Sequence, residues 1–156
     1  MSDQKNISID LPNWRHRSDS ELRVQSALVL ARAALEVREQ LLPLHLRETL
    51  SNAIWKYTEC DGKYSTRFRS RGAIEFPKEK LNHEHVLTRK LLIAQLLENP
   101  DDYISIMQTA VGCTVLRTEH LLLGSVEKEN PSLVGWDRYR EAGIEVYDLK
   151  TRSRFI

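Results

Sequence analysis

Pro43 interrupts a helical apolar periodicity that otherwise runs from residue 20 to residue 57. Proline has no amide donor for a helix interior but is tolerated in a first helical turn. The spacing therefore predicts two helices, about 20–41 and 44–57, folded back on one another as a hairpin. Ser18, Asp19 or Ser20 can cap the first, which carries Leu22, Leu28, Ala31, Leu35 and Val37 near one face. The second carries Leu46, Leu50, Ala53, Ile54 and Tyr57.

Downstream the pattern changes. Asp61-Gly62 supplies a turn, and 63–70 alternates as an extended segment with Tyr64 and Phe68 on one face and Lys63, Arg67 and Arg69 on the other. Thr88 is placed to cap a helix containing Leu91, Leu92 and Leu96. Asn99-Pro100-Asp101-Asp102 ends it and starts another carrying Tyr103, Ile104, Ile106 and Met107. Residues 113–116 form a short β-rich run after Gly112, and Thr118 is expected to cap a helix opening with Glu119-His120. We expect 124–131 to be a loop, 136–142 a last helix and 144–149 a closing strand.

The fold class expected is α+β: a mostly helical domain with a small β-hairpin and helix. Residues 1–17 read as an N-terminal arm, tied down by Leu11 and Trp14, and 18–156 as a single compact domain. Leu28, Leu35, Leu50, Ile54, Leu92, Leu96, Ile104 and Leu123 are expected in one core.

A chain of 156 residues has the size of one domain. Its net charge is only +1, so no overall field announces a nucleic-acid partner. Charge is instead local: Lys56, Lys63, Arg67, Arg69 and Arg71 face only Glu59 and Asp61 within 56–71. Two isolated cysteines, Cys60 and Cys113, suit neither a zinc knuckle nor a structural disulfide. No apolar run approaches the roughly 20 residues of a membrane span, and 1–10 lacks the regions of a signal peptide, so a cytoplasmic location without a membrane partner is expected.

Three of the five histidines lie in two polar clusters, Asn82-His83-Glu84-His85 and Thr118-Glu119-His120. Two imidazoles and a carboxylate around one cation can activate water. On an extended strand His83 and His85 face one way and Glu84 the other; a turn would change this, and spacing alone does not choose. Histidine is also the side chain best suited to take a proton from water near neutral pH. The plain alternative is that His83 and His85 end a strand at the surface and Glu119 is a favourable first-turn carboxylate. Other chemistries lack their signatures: Ser125 and Ser132 sit in no nucleophile elbow, Cys113 lies in an apolar run, and there is no phosphate-binding glycine loop.

These clusters resemble the HNH, or His-Me finger, endonucleases, in which a β-hairpin and a helix grip one divalent cation. The resemblance covers 82–120, about a quarter of the chain. It implies that Glu84 is a metal ligand, His85 the general base and His120 the ligand from the helix, with His83 as an alternate ligand, all within 81–124. It also implies a DNA substrate, with RNA left open, and Mg²⁺ or Mn²⁺ as the working ion, Zn²⁺ or Ni²⁺ being able to occupy the same donors. The chain departs from the family in carrying two expected helices across 88–110 and no Cys-x-x-Cys. Lys63, Tyr64, Arg67, Arg69 and Arg71 are the expected nucleic-acid contacts. The competing function is a noncatalytic nucleic-acid-binding or assembly protein, and a homodimer is compatible with either.

Overall fold

Alanine sets the approach of the first two helices. In this computed structural model, which describes residues 9–156, α1 (Ser20–Glu36) turns Ala27, Ala31, Ala34 and Leu35 inward. Leu46, Leu50, Ala53 and Ile54 of α2 (Pro43–Thr58) meet them. Leu22 and Val37, expected on the inner face, are exposed. Helix α1 also stops earlier than expected: Arg38 donates to the Leu35 carbonyl at 2.7 Å, and a 3-10 turn at Arg38–Gln40 leads into extended Leu41 and Leu42. The residue before a proline avoids helical torsions, and Pro43 then opens α2. The first half of the expected arm, 1–8, lies outside the described residues.

Two further helices, α4 (Arg89–Glu98) and α5 (Tyr103–Gln108), complete this layer with Leu92, Leu96 and Met107. Thr88 caps α4 by accepting from the Leu91 amide, as its position suggests. Between α2 and α4 come β1 (Phe68–Ser70), α3 (Arg71–Glu75) and β2 (Leu81–His85). The extended run expected over 63–70 thus forms a strand only at its end.

The chain closes with β3 (Gly112–Leu116), α6 (Arg117–Glu129), α7 (Trp136–Glu141), β4 (Val146–Asp148) and β5 (Ser153–Arg154). The five strands lie in the order β2-β3-β1-β4-β5, with β1 parallel to β3 and the other pairs antiparallel. Strand β2 is therefore an edge, and its partner β3 follows only after α4 and α5. Helix α6 begins at Arg117 with Leu116 in the N-cap position, rather than at Glu119 with Thr118 as its cap, and continues to Glu129 across most of the expected loop, since buried Leu123 and Val126 flank Gly124 and anchor that turn.

The fold is α+β, but the single core expected from periodicity divides in two. Leu35, Leu50, Ile54, Leu92 and Leu96 belong to the helical cluster. Leu123 instead joins Cys113, Val115, Tyr139 and Val146 in a cluster beneath α6 and α7, while Ile104 is exposed. Strand alternation makes the division: Cys113 and Val115 enter the second cluster, whereas Thr114 between them hydrogen-bonds Thr66. Among the described residues no helix is long and apolar enough to cross a membrane.

Candidate functional site

Strand β2 runs Leu81-Asn82-His83-Glu84-His85 against β3, with His83 opposite Thr114 and Glu84 opposite Cys113. The extended alternative holds here. His83 and His85 share a face and pack on Trp55 of α2, ring centroids 5.2 and 5.0 Å away. Glu84, from the other face, meets His120 in the first turn of α6, its Oε2 2.5 Å from Nδ1. Because β2 is an edge, an open cavity of about 730 Å³ reaches side chains from both faces, including His83, His85, Glu84 and His120.

The tautomers of the histidine pair follow from donor and acceptor accounting. The Lys63 carbonyl lies 2.7 Å from Nδ1 of His83 and can only accept, so His83 carries a proton there. Burial pulls both imidazoles below the usual histidine range, His85 down to about 3 with His83 and Arg89 adding to the effect. A neutral His83 then presents Nε2 as a bare acceptor. Thr58 Oγ1, 3.0 Å from that atom, donates to it and accepts from Nε2 of His85, also at 3.0 Å. Were Thr58 to donate to the Trp55 carbonyl at 3.2 Å instead, two lone pairs would oppose each other at His83. The free lone pair of His85 is thus on Nδ1.

Two supports hold the other face. Arg138 of α7, 2% exposed, donates to the carbonyls of His85 and Val86 at 2.9 and 2.8 Å and reaches Glu84 Oε1 at 3.5 Å. It fixes the strand exit and shares the carboxylate with His120. Glu119 does not point to the cavity; it accepts from the Leu116 amide at 2.8 Å and from the Ser70 hydroxyl at 2.5 Å. That clamp ties the start of α6 to β1 and so places His120. Cys113 is fully buried and its thiol is pushed up by desolvation, which leaves it packed rather than nucleophilic.

The expected donors assemble in part. Glu84 and His120 are together, whereas both ring nitrogens of His83 are engaged with Lys63 and Thr58 on the opposite face. Among the described residues no group of three or more His, Cys, Asp or Glu side chains converges to hold a metal ion. Both oxygens of the Glu84 carboxylate are engaged within the protein, Oε2 with His120 Nδ1 and Oε1 with Arg138.

The basic strip is dispersed. Arg67 forms a two-pronged pair with Asp148, at 2.7 and 2.5 Å. Arg71 pairs with Glu75 and Glu145. Arg69 is half-buried and lines a separate hollow with Trp14 and Tyr64. Lys63 lies over the rings of Trp55 and Tyr64, 5.9 and 5.3 Å from their centroids. The residues that sequence reasoning missed are Thr58, Arg138 and the cavity-lining cations Arg47, Arg89 and Lys90. The available signals were that Arg89-Lys90 follows the histidine cluster after only three residues and that Arg47, Ser51 and Trp55 fall at successive four-residue steps on α2.

No protein-family model matches the chain, and no curated protein or solved structure is significantly similar to it.

Proposed function

We propose that the protein is a divalent-metal-dependent endonuclease that hydrolyses DNA phosphodiester bonds, with Glu84 and His120 as ligands and His85 as general base. The supporting observation is the contact of Glu84 with His120, from elements far apart in sequence, in a cavity that His85 also lines. When bound, Mg²⁺ or Mn²⁺ would polarise the phosphate and neutralise charge developing on it. His85 is neutral and holds its Nδ1 lone pair for a water proton, and Thr58 takes up its other nitrogen. A neighbouring phosphate anion raises its proton affinity from the low value that burial imposes. His83 becomes a residue that positions His85 through Thr58.

The noncatalytic alternative is favoured by the absence of a three-donor group among the described residues and by the weak basicity of the buried His85. A cleavage assay on DNA and RNA with Mg²⁺ or Mn²⁺ separates the two. We expect cleavage by the native protein, its abolition by chelator, and a fall of about 10²–10⁴-fold on His85→Ala. Equal cleavage by both proteins removes His85 as base. No cleavage across substrates and ions leaves the binding protein.

A further inference from the structure

We infer that a DNA strand lies with its phosphates along the groove between α2 and α4, on Arg47, Arg89 and Lys90. The inference rests on the nuclease reading for what happens at the end of the groove, but the binding itself stands or falls separately.

The groove is continuous with the candidate site. A second hollow of about 450 Å³ shares Arg47, Ser51, Trp55, Arg89 and Ile93 with the cavity that holds Glu84, His85 and His120. Arg47, Ser51 and Trp55 lie on one face of α2, and Arg89 and Ile93 face them from α4. From Arg47 to Trp55 is eight residues, or about 12 Å of helix at 1.5 Å per residue.

Its cations are exposed, and Arg89 is held in place. Arg47, Arg89 and Lys90 are exposed, and none is in an ion pair with a carboxylate among the described residues. Arg89 is held in place: its guanidinium lies 5.0 Å from the Trp55 ring centroid and donates to the Ser51 hydroxyl at 2.7 Å. Trp55 in turn packs on both histidine rings, so Arg89 and the candidate base share one support. Arg67 and Arg71 of the basic strip, by contrast, already spend their charge on Asp148, Glu75 and Glu145. A phosphate there would have to displace a carboxylate.

The test is fluorescence anisotropy in EDTA, with a labelled DNA duplex, the matching single strand and the matching RNA, titrated across KCl. No metal is present, so cleavage plays no part. For the Arg47→Ala/Arg89→Ala/Lys90→Ala variant we expect affinity to fall at least about tenfold. The slope of log affinity against log salt should shrink by about 2–3, near 0.9 for each lost duplex contact. Arg71→Ala should leave both unchanged. A thermal melt checks folding, and the milder Arg47→Gln/Lys90→Gln pair, both at exposed positions, should show about two thirds of the slope change. Unaltered affinity and slope in these variants, no salt-dependent binding by the native protein to any of the three probes, or a loss confined to Arg71→Ala would overturn the inference. Salt-dependent binding lost in the triple variant, from a native protein that cleaves nothing, would support the groove while rejecting the nuclease.

Discussion

A Cβ added to Gly112 would lie 2.6 Å from Cε1 of His83. The ring of one strand is seated directly against the bare backbone of the next. We expect Gly112→Ala to force the ring aside, break its contacts with Lys63 and Thr58, and cost about 1–3 kcal/mol. Urea unfolding measures this, and a variant as stable as the native protein would show that the ring has room to move.

Thr58 joins the two imidazoles, and its hydroxyl rather than its shape carries the link. Thr58→Val keeps the volume but leaves two buried ring nitrogens without a partner, which should cost about 1–3 kcal/mol. Thr58→Ser should restore most of it. If the valine and serine variants melt together, the hydroxyl is not what holds the pair. In the nuclease reading the valine variant also loses rate without a matching change in DNA affinity.

Arg138 is a buried cation that ties the end of β2 to α7. Arg138→Ala frees the carbonyls of His85 and Val86 and leaves Glu84 with His120 alone, so a loss of about 3–5 kcal/mol is expected. Chemical denaturation reads it directly. A loss below about 1 kcal/mol would mean water replaces the guanidinium at no great cost.

Asp148 sets an acid limit on stability. The hydrogen bond from Arg67, working against burial, holds its carboxyl at about 2, below the unfolded value near 3.8. A folded value below the unfolded one means that the contribution is fully present above about pH 5 and is lost as pH falls through about 2. Arg67 is 39% exposed, and solvent screening reduces the full linkage value to about 1–2 kcal/mol. The stability gap between native protein and Asp148→Asn should therefore narrow steadily from about pH 5 to pH 2. A gap that stays constant over that range would place the effect elsewhere.

Residues that act on near neighbours were legible from sequence. Pro43 opens α2, Thr88 caps α4, Gly112 begins β3, and the two-residue spacing of His83 and His85 sets them on one face once β2 is extended. Each depends on torsions and hydrogen bonds within a few residues, so the local string carries the information. The loop expected over 124–131 failed because the burial of Leu123 and Val126 outweighs the low helix propensity of Gly124.

What only the tertiary structure decided was who meets whom. Arg67 looked free because its partner, Asp148, is eighty-one residues away, and β4 comes beside β1 only in the order β2-β3-β1-β4-β5. The same order leaves β2 at the edge and its histidines within reach of Thr58 on α2, while Glu84 turns toward His120 and Arg138. Sequence determined the elements and the chemistry available along them; the sheet's order and the packing of helices on its two faces decided which charges are spent, which rings are dry and which donors share a cavity, because those depend on distances that no local pattern encodes.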